Sequence, residues 1–177
     1  MEDERQHESE GVYVVLDNLR SAFNVGSIMR TSDAAGVRTI YLCGVTAHPP
    51  NRKLAKTALG ATDHVRWKYL KRTEEALVEL RELGVPLVGI ETVADSITYG
   101  EFTFPNPVAV VFGHEIYGIS EPALALLDKV VQIPMRGFKT SINVATAAGI
   151  VLFEIVRQHR GGRQGAESAG PEELGRL

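Results

Sequence analysis

Short apolar runs alternate with helix-like stretches along this chain. The runs are Val12–Leu16, Thr39–Leu42, Val65–Tyr69, Pro86–Glu91, Val108–Phe112 and Val130–Ile133. They are too short for helices and rich in β-branched residues, and near-continuous apolar runs of this length read as strands buried on both faces. Between them, residues 24–35 read as a helix, with Asn24 as N-cap and Gly36 as its stop. Lys53–Leu59 reads as a short helix closed by Gly60. Thr73 reads as the cap of a helix to Leu83, with Glu74 and Glu75 in its first turn. Pro122 suits the first turn of a helix to Leu127, and Asn143 opens a last helix to about His159. This order predicts an α/β domain: a largely parallel sheet with helices on both faces. Such sheets hold ligands at the carboxyl ends of their strands.

The 177 residues suffice for one domain, placed here at residues 11–160. Residues 1–10 carry five acids and one base and read as a disordered acidic tail; residues 161–177 read as a flexible C-terminal tail. With the tails set aside, the overall charge of −3 becomes +2 for the core. Residues 52–72 hold seven Lys and Arg against Asp63 alone. Such a run is usually a solvated face, but it also suits a polyanion. The single cysteine, Cys43, excludes an internal disulfide and sits in an apolar run as a buried small hydrophobe. No apolar run is long enough to span a bilayer, and the N-terminus has no signal-peptide pattern, so a cytoplasmic location is expected. His, Cys, Asp and Glu show no metal-ligand spacing, so no metal is expected.

Two strand-to-turn passages stand in tandem. Val110-Val111-Phe112 runs into Gly113-His114-Glu115-Ile116-Tyr117-Gly118, and Val130–Ile133 runs into Pro134-Met135-Arg136-Gly137-Phe138-Lys139-Thr140-Ser141-Ile142-Asn143. Two such turns can set backbone donors and acceptors around one small ligand. A third segment follows the first strand, with Asn24 and Arg30 six residues apart. Taken alone, these two read as a cap and a surface cation.

In order and spacing the three segments resemble the three motifs of the SpoU (TrmH-type) branch of the SPOUT methyltransferases, over roughly residues 11–157. The resemblance implies transfer of a methyl group from S-adenosyl-L-methionine to a ribose 2′-hydroxyl in tRNA or rRNA. It also implies a C-terminal trefoil knot, which general topology rules would have argued against, and a homodimer. Motif by motif, it brings Asn24 and Arg30 from the first segment, Gly113, Glu115 and Gly118 from the second, and Ile133, Ser141, Ile142 and Asn143 from the third. The implied cofactor contacts are Gly113, Ile133, Met135, Ser141, Ile142 and Asn143. The implied catalytic set is Arg30, Asn24, Glu115, Ser141 and Asn143.

Free arginine stays protonated, so the preferred role for Arg30 is a forked donor that binds the RNA phosphate and polarises the 2′-hydroxyl. Glu115 is expected to orient Arg30 or to accept a hydrogen bond from substrate. Arg30, Arg52, Lys53, Lys56, Arg136 and Lys139 are the candidate RNA contacts. Trp67 reads first as a core residue. His114 and Ala145 depart from the family pattern; neither is expected at the core of the site, and His114 is placed to alter the pocket rim. Two other readings remain at this stage: a knotted RNA-binding or assembly protein without catalysis, and a dinucleotide-binding oxidoreductase. The latter lacks G-x-G-x-x-G after its first strand.

Overall fold

The computed structural model describes residues 11–167. In chain order the elements are β1 (Val12–Asp17), α1 (Ala22–Ala35), β2 (Thr39–Cys43), α2 (Arg52–Ala58), α3 (Ala61–His64), β3 (Trp67–Leu70) and α4 (Thr73–Glu82). There follow β4 (Leu87–Ile90), β5 (Ile97–Thr98), β6 (Val108–Phe112), α5 (Glu121–Leu124), β7 (Lys129–Gln132) and α6 (Val144–Glu167). The seven strands form one sheet in the order β3-β2-β1-β6-β4-β7-β5. Every pairing is parallel. The loops after β1, β2, β4, β6 and β7 therefore all emerge from one edge of the sheet.

Alternation along the strands divides the core in two. Val12, Val14, Leu16, Ile40, Leu42, Val108, Val110 and Phe112 face α1, α2 and α6. Tyr13, Val15, Tyr41, Cys43, Ala109 and Val111 face α4 and α5. Both faces are covered, which is why the strands read as unbroken apolar runs. On the first face α1 lies between α2 and α6, in contact with each. Its approach to α2 requires glycine: a Cβ on Gly26 would lie 2.7 Å from Thr57 Cβ and 3.0 Å from Leu54 O.

Cys43 is fully buried, and Trp67 is half-buried against the first core, as expected from sequence. Three expectations are corrected. The N-cap of α1 is Ser21, whose hydroxyl accepts from the Asn24 N–H at 3.3 Å, so Asn24 lies inside the helix with its side chain released from capping. Thr73 is the first residue of α4, not its cap. Its hydroxyl donates to buried Asp17, which also accepts from the Ser120 N–H at 2.7 Å. A carboxylate 1% exposed needs such donors, and Asp17 recruits them from the starts of α4 and α5. Finally, the last helix, expected to end at about His159, continues as α6 to Glu167; the rest of the expected C-terminal tail and the N-terminal tail lie outside the described residues. The two-residue β5 had no visible sequence pattern.

Candidate active site

The loop after β6 folds back on itself. His114 and Gly118 exchange N–H to O bonds of 2.9 Å, and His114 Nδ1 accepts from the Ile116 N–H at 3.0 Å. Gly113 is pressed against the far side of this loop. A Cβ there would lie 2.2 Å from Gly118 C and 2.2 Å from Ile119 N. Glu91, just beyond β4, fastens the loop from the other side: its Oε2 accepts from the Ile119 N–H at 3.2 Å and its Oε1 from the Thr92 N–H at 3.0 Å.

Between this loop and the loop after β7 lies a cavity of about 710 Å³. Gly113, Ile133, Met135, Ser141, Ile142 and Asn143, the six residues expected at a cofactor, all line it. Glu91, Thr92 and Thr140 line it as well and were not anticipated. For Glu91 the available signal was its place at the carboxyl end of a strand. The lining carries two carboxylates, Glu91 and Glu115, and no Lys or Arg.

A chain of hydrogen bonds ties the cavity to α1. Asn143 Oδ1 accepts from the N–H groups of Ala145 (2.9 Å) and Thr146 (3.3 Å), capping α6. Its Nδ2 donates to Asn24 Oδ1 at 3.1 Å, and Asn24 Nδ2 donates to Glu115 Oε1 at 3.0 Å. Glu115 also accepts from the backbone N–H groups of Ser21 (3.0 Å) and Arg20 (3.2 Å). Partial burial raises the pKa of Glu115. Its own N–H, those of Ser21 and Arg20 and the Asn24 amide outweigh that and hold it below the usual carboxylate range. Glu115 is thus ionised at neutral pH and acts as an acceptor. It holds Asn24 and the start of α1; from sequence it was expected to orient Arg30 or to accept a hydrogen bond from substrate.

Arg30 stands apart from its own cavity. It is exposed, forms no hydrogen bond or ion pair among the described residues, and does not line the cavity. It lies about two helical turns from Phe23, so the two share the solvent face of α1; Phe23 is 57% exposed. Around the cavity mouth Ile116, Tyr117 and Phe138 are 76, 81 and 96% exposed. Arg136 and Lys139 are exposed in the loop after β7, with Lys139 Nζ 6.0 Å from the Phe138 ring centre. Arg52, Lys53 and Lys56 are exposed on α2. Arg20, which sequence reasoning missed, lines a shallow recess beside Glu115 and Ile116.

Among the described residues no cluster of three or more His, Cys, Asp or Glu is placed to hold a metal ion, and no helix is long and apolar enough to cross a membrane. Fold and site define an α/β protein with a small-molecule cavity built from two loops at the carboxyl edge of a parallel sheet. Within that class the SpoU rRNA Methylase family model matches residues 11–153, and the chain belongs to that family. It is 36% identical over 148 residues to a tRNA (guanosine(18)-2′-O)-methyltransferase of Thermus thermophilus, covering 82% of this chain and 74% of the relative. It is 34% identical over 153 residues to the 23S rRNA (guanosine-2′-O-)-methyltransferase RlmB of Vibrio parahaemolyticus, covering 86% of this chain and 61% of the relative. The SpoU methyltransferase AviRb of Streptomyces viridochromogenes, solved in complex with AdoMet, superposes with a TM-score of 0.78 at 30% identity. That match covers 86% of this chain and 59% of AviRb.

Proposed function

We propose that this protein transfers a methyl group from S-adenosylmethionine to a ribose 2′-hydroxyl of tRNA or rRNA. The observation that carries the reading is the cavity. Its volume suits a ligand of cofactor size. Gly113 keeps one wall open where any Cβ would meet backbone. Its lining offers two carboxylates and no cation, which suits a ligand bearing sulfonium and ammonium groups. The same lining disfavours the pyrophosphate of a dinucleotide. The relatives' names and the AdoMet-bound AviRb structure support the same chemistry.

S-Adenosylmethionine, when bound, supplies an electrophilic sulfonium methyl. Gly113, Ile133, Met135 and Ile142 form its walls, and Ser141, Asn143 and Glu91 offer it polar contacts. The Asn143–Asn24–Glu115 chain fixes the edge of the site where the sugar must enter. A 2′-hydroxyl is a weak nucleophile, so alignment and exclusion of water supply most of the acceleration. Arg30 holds the adjacent phosphate with one arm of its fork and donates to the 2′-hydroxyl with the other. The 2′-hydroxyl proton leaves to phosphate or water; the cofactor, when bound, would give up its methyl group by breaking its S–C bond and leave as the neutral thioether.

Arg30 reaches a cavity in a homodimer. Two copies meet through Phe23, Ile116 and Tyr117, and Arg30 of one copy serves the cavity of the other. A trefoil knot accompanies this arrangement. It is supported by the sheet order, in which β7 lies between β4 and β5, two strands that are consecutive in the chain, and by the packing of the segment before β6 on α6 through Gln158 and His159. The protein acts in the cytoplasm, where tRNA and ribosomal RNA are modified.

The test is methyl transfer from labelled S-adenosylmethionine to separate pools of unmodified tRNA and rRNA, read by nuclease digestion and nucleoside mass spectrometry. A 2′-O-methylnucleoside is the expected product. Cofactor binding with no product from either pool would favour the non-catalytic reading.

A further inference from the structure

A second recess lies on the same edge of the sheet. Pro49, Pro50, Asn51, Arg52, Ala55 and Thr62, over buried Leu54, enclose about 300 Å³ between the end of the β2 loop and the α2–α3 corner. Its floor is apolar and its rim is polar. Asn51 spends its side-chain oxygen on the Lys53 and Leu54 N–H groups (3.0 and 3.1 Å), which leaves its amide N–H₂ free to donate. Beside the recess, at the ends of β2 and β3, His48 and half-exposed Tyr69 place their rings 4.3 Å apart.

The surrounding charge selects the occupant. Lys68 and Arg72 are neutralised by Glu79 and Glu74. Arg52, Lys53, Lys56 and Lys71 have no ion pair among the described residues, and Asp63 is the only acid between residues 52 and 72. An apolar slot with amide and hydroxyl groups at its rim, set within unpaired cations, matches a nucleobase carried on a phosphate backbone. It is a poor match for an acid-free apolar peptide. The position agrees. Sheet order places β1 between β2 and β6, so α1, carrying Asn24, lies between the recess and the cavity. Two strand spacings, roughly 10 Å, separate β2 from β6, a span that a few nucleotides cover.

We infer that this recess holds an unstacked base of the RNA substrate near the methylated nucleotide, while Arg52, Lys53 and Lys56 bind the phosphates beside it. The inference rests on the RNA-methyltransferase reading above. It places substrate selection in the chain's own β2–α3 segment.

The test uses single-stranded 12-nucleotide RNA carrying one 4-thiouridine, with photocrosslinking and peptide mapping, and binding titrations over a range of salt. Two variants serve: Ala55→Leu, which fills the recess from an exposed helix position, and Arg52→Gln. Thermal melts and S-adenosylmethionine calorimetry report that each is folded with its cavity intact. Crosslinks to residues 48–62 are expected in the wild type. Ala55→Leu should lose them and bind RNA about fivefold or more weakly, and Arg52→Gln should reduce the salt slope by about 0.7, one phosphate contact on a single strand. Wild-type RNA affinity in both variants, or crosslinks mapping elsewhere, would overturn the inference; a protein occupant would give that result. If RNA is methylated while both variants bind it normally, the recess alone is refuted. If the wild type neither binds nor methylates RNA, the functional reading falls and the recess with it.

Discussion

Replacing Gly113 by alanine tests the site at its tightest point. The added Cβ would lie 2.2 Å from Gly118 C and Ile119 N and 2.5 Å from Gly118 O, against an ordinary contact of 3.4 Å or more. The obstacle is backbone, so no rotamer relieves it, and the loop must retreat by more than an ångström. That loop is fastened by the paired His114–Gly118 bonds and by Glu91 on the Ile119 N–H. Overpacking costs about 1–3 kcal/mol, and loss of the Glu91 bond adds about 1 kcal/mol. Together these give about 2–4 kcal/mol, or a fall in melting temperature on the order of 10 °C for a chain of this size. Retreat also moves one cavity wall, so S-adenosylmethionine should bind about tenfold or more weakly, a change of about 1.4 kcal/mol. Calorimetry well below the melting temperature separates the two effects. Gly137→Ala is the control, since a Cβ there meets nothing within 4 Å. Wild-type cofactor affinity and melting temperature in Gly113→Ala would refute the reasoning.

Arg30→Lys keeps a charge but loses the fork; methyl transfer at saturating RNA should fall about tenfold or more, with S-adenosylmethionine affinity unchanged because the proposed contacts of Arg30 are the RNA phosphate and 2′-hydroxyl, not the cofactor. If two copies share each site, mixing Arg30→Ala with Gly113→Ala, at S-adenosylmethionine too dilute to load the weakened Gly113→Ala cavity, should restore about a quarter of wild-type activity, because half the dimers would pair the two variants and each would have one complete site; no restoration in subunits shown to exchange would exclude the shared site. Glu115→Gln should lower the melting temperature by a constant amount between pH 5 and 8. A folded-state pKa below the unfolded one makes this contribution complete above about pH 4.3. It is lost as pH falls further through the folded value, so the two melting curves should converge in acid. Burial, followed by the nearby charge of Asp17, pushes the Cys43 thiol up to about 12, so a maleimide at pH 8 should label it only after unfolding.

The architecture was legible because each strand is buried on both faces, leaving Val12–Leu16 and Val108–Phe112 as unbroken apolar runs. The carboxyl-edge location of the site followed from the same fact. Cap chemistry was less legible. Asn24 and Thr73 are good capping residues by type, but three-dimensional neighbours compete for their side chains: Glu115 and Asn143 take Asn24, and buried Asp17 takes Thr73. Glu91 was marked only by its place at the carboxyl end of a strand; its partner, the Ile119 N–H, lies 28 residues away and left no local pattern. Glu115 was expected either to orient Arg30 or to accept a hydrogen bond from substrate; within one chain it accepts from Asn24, Ser21 and Arg20, while Arg30 lies on the solvent face of α1.

That placement of Arg30 explains the design of the Asn24 network. Asn143 caps α6 through its oxygen, so its amide N–H₂ must point outward, and this forces the Asn24 oxygen toward it. The Asn24 amide N–H₂ is then directed at Glu115, which closes on the first turn of α1 through Ser21 and Arg20. Each hydrogen bond in the chain therefore has one allowed direction, set by a helix cap at one end and an ionised carboxylate at the other. It joins the starts of α1 and α6 and the loop after β6, three segments far apart in sequence, without using a cation. Arg30, about a turn and a half beyond Asn24 on the same helix, is thus held at a fixed position while its side chain has no hydrogen bond or ion pair among the described residues. On the proposed role of Arg30, an arginine spent on Glu115 would have had to give up that bond before meeting a phosphate; one with no partner among the described residues does not.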